Sequence, residues 1–218
     1  MQAAPSSGAQ RGQATIQPAY FTSSLFVDAL RADVRELERI YSKHYYALAN
    51  ATEAEPSPLK PFELFKHIWE QLGWQWLHLK VLEPRARETF LDIVLRIFSE
   101  FTESSESIMM RVVALLALYT FYMSQPSTSV PRTMFRVDGI PIPIDSLERL
   151  LNLPESLSGS EQPLKPYVQF VLQTLEPKFL ILPPTDLQAQ NPRTLPREEV
   201  RNEIDLEEAD LAGTGVKK

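Results

Sequence analysis

Apolar residues recur at three- and four-residue steps through most of the middle of the chain, and that pattern predicts helices. The first runs from Ser23 or Ser24 to about residue 48. Phe26, Leu30, Val34, Leu37 and Tyr41 fall on one face, and Arg31, Arg35, Glu38 and Arg39 fill much of the outer one. A serine start suits an N-cap, whose hydroxyl accepts from the free N–H groups of the first turn. Pro56 and Pro58 prevent the helix from continuing. A second pattern opens at Pro61, a residue suited to the first helical position. Phe62, Phe65, Ile68 or Trp69, and Leu72 make its apolar stripe, and Gly73 stands where a left-handed C-terminal cap is wanted. Residues 74–83 are compatible with strand or helix and read as a short helix or irregular segment.

Pro84 opens a third helix, carried by Phe90, Leu91, Val94, Ile97, Phe98 and Phe101. The serines of 102–107 end it and supply caps for the fourth. That fourth helix has a different character, because from Ile108 to Met123 only Arg111 is charged. A membrane span needs ~20 largely apolar residues. The clean run from Val112 to Met123 is shorter, and Glu106 and Pro126 bound it. A short helix that is apolar on every face reads as the central helix of a bundle. Arg111 lies near its N-terminus, where the helix dipole disfavours a cation. Its expected partner is an acid such as Glu100 or Glu70; the sharper alternative is a contact that another chain completes.

Further along, a loop at 124–131 leads to a short extended piece. Asp145 and Glu148 then form a capping-box pattern ahead of Leu147, Leu150 and Leu151, and Pro154 stops that helix. A sixth helix places Tyr167, Phe170, Val171 and Leu175 on one side. The segment Lys178–Pro184 is extended and apolar. It is expected to lie back on the bundle, since burying each such side chain stabilises by ~1.5–3 kcal/mol. The predicted fold is all-α, an orthogonal or superhelical bundle of about six helices with a short extended segment near residues 178–183. Residues 1–19 are expected to be a disordered tail, 20–184 the helical domain, and 185–218 a disordered acidic tail with a fragile helix near 200–211.

Composition narrows the chemistry. The chain has no cysteine, so it has no disulfide framework, thiolate nucleophile or cysteine-ligated zinc. That usage suits cytosol or nucleus. The first 19 residues lack the apolar stretch of a signal peptide. Formal charge is −6, and both the helical part and the C-terminal tail are acidic in excess. A stand-alone polyanion binder or a lipid binder would carry a basic excess. His44, His67 and His78 show no metal-ligand spacing and read as surface or half-buried residues. No Gly-rich phosphate loop or nucleophile elbow is present. Glu36 with Glu38, and Glu103 with Glu106, read as solvated faces rather than an acid and base. An enzyme, a cofactor and a metal are therefore not expected.

Phe62, Phe65, Trp69, Trp74 and Trp76 form the densest aromatic cluster. Phe65 and Trp69 read as core. Trp74 and Trp76 follow a helix end, and one of them is expected to be exposed as an interface anchor. Stacking on bases needs neighbouring cations, and only Lys66 and Lys80 are close.

Four blocks in order resemble a known family. They are Phe62, Phe65 and Trp69; Arg111, Val112, Ala114, Leu115, Leu118, Tyr119, Tyr122 and Gln125; Arg136 with Val137; and the segment from Tyr167 to Pro183. Together they resemble the N-terminal domain of subunit 1 of the small nuclear RNA-activating protein complex, over roughly residues 20–184. The resemblance implies a nuclear scaffold that joins subunits 3 and 4. The complex recognises the proximal sequence element of small nuclear RNA promoters and serves RNA polymerases II and III. Subunit 4 supplies Myb-type DNA-binding repeats, so promoter DNA is met mainly indirectly. No membrane and no small-molecule substrate are implied. Trp69, Trp74, Trp76, Arg111, Tyr122 and Arg136 are the candidate partner-binding residues. The rival expectation is a trafficking adaptor of VHS or ENTH type that binds short peptides.

Overall fold

The computed structural model describes residues 18–49, 60–126, 135–184 and 189–194. Residues 127–131 of the loop expected at 124–131, the ends of both tails and the acidic helix expected at 200–211 lie outside them. The described residues are mostly helical. All six expected helices are present: α2 (Ser24–Ala49), α3 (Pro61–Gln71), α4 (Pro84–Glu100), α5 (Ile108–Met123), α6 (Ile144–Leu151) and α8 (Lys165–Leu175). Two single-turn helices join them, α1 (Pro18–Phe21) and α7 (Leu153–Ser156), and Trp74–Leu79 is a 3-10 helix. No helix among the described residues is long and apolar enough to cross a membrane.

The central position of α5 follows from its composition. Residues from Met109 to Leu118 are all buried, because α2, α3, α4 and α8 pack around it. The Ser107 hydroxyl accepts from the Met110 N–H at 3.1 Å and so caps the helix as its sequence suggests. Helix α2 buries one face only, through Val27, Leu30, Val34, Leu37, Tyr41 and Tyr45. Its steps of three and four residues keep these on a single stripe. The Tyr45 hydroxyl donates to the Ser160 carbonyl at 2.7 Å, tying the end of α2 to the turn before α8.

Several expectations change in detail. In α3 Leu64 is buried, while Phe62 is half-buried and Leu72 exposed, so the stripe is rotated toward Leu64, Phe65, Ile68 and Trp69. The capping box at Asp145 does not form. The preceding extended piece is strand β1 (Ile140–Pro143), and it runs straight into α6 with Pro143 at the N-cap. Proline fixes φ near the helical value and offers no side-chain acceptor. Asp145 is left inside the first turn. In α8 the buried residues are Val168, Val171, Leu172 and Leu175, and Phe170 is 57% exposed. Its ring instead meets Tyr119 edge-on at 6.2 Å, and Tyr119 is itself half-buried between Phe170 and Phe62.

The extended segment near 178–183 is strand β2 (Phe179–Leu182), paired parallel with β1 so that Ile140 faces Phe179 and Pro143 faces Leu182. Only Phe179 is buried. Leu180, Ile181 and Leu182 are 56%, 61% and 40% exposed. The expectation that the whole segment lies back on the bundle is therefore corrected. Phe179 and Ile181 share one face of the strand, but the bundle reaches only as far as Phe179 and leaves Ile181 uncovered. The tail assignment also shifts. Residues 189–194, placed by sequence in the C-terminal tail, return to the start of α2. Ser24 N–H donates to the Arg193 carbonyl at 3.0 Å and Arg193 N–H to the Thr22 carbonyl at 2.8 Å. At the other end, α1 begins at Pro18, inside the segment expected to be the N-terminal tail.

Candidate protein-interaction surface

The family-like residues first build an interior joint. Arg111 does not pair with Glu100 or Glu70. Its Nε donates to the Thr102 carbonyl at 2.9 Å and its Nη2 to the Arg149 carbonyl at 3.1 Å. It is buried, and burial lowers its pKa, with Glu103 acting in the opposite sense and Arg149 adding to the lowering. Glu100 is occupied elsewhere, by Arg31 at 3.0 Å and Arg96 at 3.7 Å. A second buried guanidinium, Arg87, had no sequence signal. Its Nε donates to the Phe135 carbonyl at 2.9 Å, and its Nη1 to the carbonyls of His78 at 2.6 Å and Val81 at 2.9 Å. Both arginines use planar donor forks to gather carbonyls from loops and from the last turns of helices, where intrahelical donors run out.

Gln125 completes the joint. Its Oε1 accepts from Val137 N–H at 2.9 Å, and its Nε2 donates to the carbonyls of Val137 at 3.2 Å and Tyr122 at 3.0 Å. The Tyr122 hydroxyl donates to the Asp138 carbonyl at 2.7 Å. The end of α5 is thereby fastened to the strand-like residues that lead into β1. His78 is buried rather than half-exposed, against expectation. Its ring stacks on Phe121 with centroids 4.3 Å apart, and Nε2 lies 2.8 Å from the Phe121 carbonyl. A carbonyl only accepts, so Nε2 carries the proton, and Nδ1 has no partner among the described residues. Burial, with Arg87 nearby, pulls the His78 pKa down to about 4.

The six candidate residues thus separate into two groups. Trp69, Trp74, Arg111 and Tyr122 are buried, whereas Trp76 is 56% exposed and Arg136 is exposed. Gly73 decides between the tryptophans. It takes the left-handed backbone, φ 76°, and the 3-10 turn that follows folds Trp74 back onto Trp69 with rings stacked at 5.0 Å. Trp76 is left on the outside. It stands at the rim of an open groove of about 480 Å³ between α2 and the 3-10 turn. Phe26, Leu30, Leu72, Trp74 and Leu77 give this groove apolar walls; Asp33 and Glu36 stand on the α2 side and Lys80 on the other. Glu36 is held by Arg39 through two contacts of 2.7 Å, and that bonding lowers its pKa. Asp33 has no ion pair or hydrogen bond among the described residues, and partial burial raises its pKa. Nothing in the sequence marked Asp33, since one carboxylate on the polar side of an amphipathic helix is ordinary. Among the described residues no group of three or more histidine and carboxylate side chains could hold a metal ion.

A sequence model of the family described as "Small nuclear RNA activating complex (SNAPc), subunit 1" matches residues 55–153. Over these residues, somewhat less than half of the chain, the sequence is similar to that family. The matched span holds α3, the 3-10 turn, α4, α5, β1 and α6, and so contains the whole joint built by Arg87, Arg111, Tyr122 and Gln125. It is narrower than the resemblance over residues 20–184. The α2 wall of the groove, α8 and β2 lie outside it, while Leu72, Trp76 and Lys80 lie inside. No curated protein matches the chain.

Proposed function

We propose that this chain is a scaffold subunit of a nuclear promoter-binding complex, supporting small nuclear RNA transcription by RNA polymerases II and III. The observation that carries the reading is the family match over residues 55–153, which includes three of the four resembling blocks. Physical features agree with it. The motif residues Arg111, Tyr122 and Gln125 spend their polar groups on the chain's own backbone, which makes a fixed body for other subunits to hold. The chain is acidic overall, with a formal charge of −6, so it is a poor partner for the phosphate backbone. Sequence-specific contact with promoter DNA then falls to a partner, and subunits 3 and 4 of the complex are the proposed neighbours.

The test is co-purification. The full chain is tagged, expressed in its own nucleus, and recovered at moderate salt. The expected companions are a protein with Myb-type repeats and a third, zinc-bearing subunit. Recovery of clathrin-type or endosomal proteins, or of the chain alone, would overturn the scaffold reading and favour a peptide-binding adaptor.

A further inference from the structure

We infer that the groove between α2 and the 74–79 turn is the docking site for a segment of another chain that presents a bulky apolar side chain beside a lysine or arginine. The apolar half of the argument is geometric. A groove of about 480 Å³ accepts one or two large side chains. Its walls are already fixed in the free chain. Trp74 is stacked on Trp69, and Phe26 meets Phe21 edge-on at 5.0 Å. Little side-chain order remains to be lost on binding, and such preorganisation raises affinity. Trp76 and Leu72 stand exposed at the rim. A large aromatic beside a preformed apolar recess is the usual composition of an interface hot spot.

The basic half follows from Asp33. Asp33 is exposed overall, but its carboxylate lines the groove, whose walls take part of its water, and no cation among the described residues offsets that loss. Glu36 adds to the negative potential although Arg39 shares its charge. Lys80 lies on the opposite side and forms no ion pair with either acid. A cation entering beside Asp33 gains a charge-assisted hydrogen bond in a partly desolvated place. The exposed Trp76 indole lines the same groove, and an indole face attracts cations. An acidic occupant would leave Asp33 worse off. That disfavours the chain's own residues 195–218, which are acidic in excess.

The proposal rests on the scaffold reading only in naming the complex that supplies the partner, so two measurements separate the two ideas. In the first, random displayed peptides of about four helical turns are selected on the full chain. Selected peptides are expected to carry a bulky apolar residue within one turn of Lys or Arg. They should lose about tenfold or more in affinity on Trp76→Ala or Asp33→Asn, with both variants melting like the parent. Selection of acidic peptides, or of peptides indifferent to both variants, would overturn the groove assignment. In the second, the full chain is assembled with subunits 3 and 4, carrying a photo-crosslinking side chain in place of Leu72. A crosslink to a segment of the same apolar-basic type is expected. An assembled complex that crosslinks only to an acidic segment, or not at all, also counts against the groove. Failure to assemble, with peptides that obey the rule, would sink the scaffold reading and leave the groove standing.

Discussion

The joint behind α5 and the groove beside α2 treat polar groups in opposite ways. In the joint, Arg87, Arg111 and Gln125 are buried, and each finds carbonyl or amide partners within the same chain. In the groove, Asp33 is only partly covered, yet it has no partner among the described residues. A buried guanidinium costs several kcal/mol unless its donors are used, so the joint has to be complete for the chain to fold. An unpaired carboxylate at a groove lip costs far less, so the chain tolerates it. Polar residues most deeply inside serve the fold, and those left half-finished at the edge are the ones available to a partner.

The comparison predicts its largest effect at Arg87. Arg87→Met keeps most of the stem but removes the donors from the carbonyls of His78, Val81 and Phe135. Each buried acceptor left unsatisfied costs about 1–3 kcal/mol, so a loss of roughly 3–5 kcal/mol in urea unfolding is expected. A loss below about 1 kcal/mol would mean that water reaches these carbonyls and that the joint is open.

The next effect is a pH dependence. His78 titrates near 4 in the folded chain, against an unfolded value of about 6.5. Its folded pKa is depressed, and for a base this means that the native state prefers the neutral ring. Above pH 6.5 both states are neutral and the contribution is constant. As pH falls from about 6.5 toward 4 the unfolded state takes up the proton first, and stability is lost; below 4 the loss levels off. Between pH 7 and 4.5 the loss is about 2–3 kcal/mol. Carboxylates titrate in the same range, so the readout is the difference between the parent and His78→Gln. Parallel stability-pH curves for the two would contradict the buried neutral assignment.

A smaller effect belongs to Tyr122. Tyr122→Phe removes only the hydroxyl that donates to the Asp138 carbonyl. The expected cost is about 1 kcal/mol in equilibrium unfolding. An unchanged midpoint would show that the end of α5 is held by Gln125 alone.

These residues also show what the sequence could carry. Helices α2, α4 and α5 were legible because long apolar stripes, prolines and serine caps agree with one another. The apolar α5 told its own place, since no surface could accept it. The partners of Arg111 are not legible in the sequence, because a guanidinium fork is satisfied equally by an acid and by carbonyls that no sequence marks. Arg87 sits among Arg85 and Glu88 and resembles any polar face. The exposure of strand β2 is hidden for a different reason: Phe-Leu-Ile-Leu has no alternation, so its pattern cannot tell a covered strand from an edge. At the candidate site, one exposed tryptophan was expected after Gly73. Which of the two it is depends on the direction of the 3-10 turn. Asp33 could not be found at all, because its meaning comes from a neighbour across the groove rather than along the chain.

The smallest effect on stability is the one that most sharpens the contrast. Asp33→Asn removes a charge that no group among the described residues offsets, and Trp76→Ala removes a ring that is mostly in water already. Surface changes of this kind stay within about 0.5 kcal/mol. For Asp33→Asn the sign is also fixed. Its folded pKa is raised, so the native state penalises the charged form, and neutralising it leaves stability at pH 7 equal or slightly higher. Thermal melts of both variants should therefore overlay the parent while binding of an apolar-basic peptide falls. If Asp33→Asn instead lowers the melting temperature by several degrees, the carboxylate has a partner within the chain. The groove would then be another closed joint like the one behind α5.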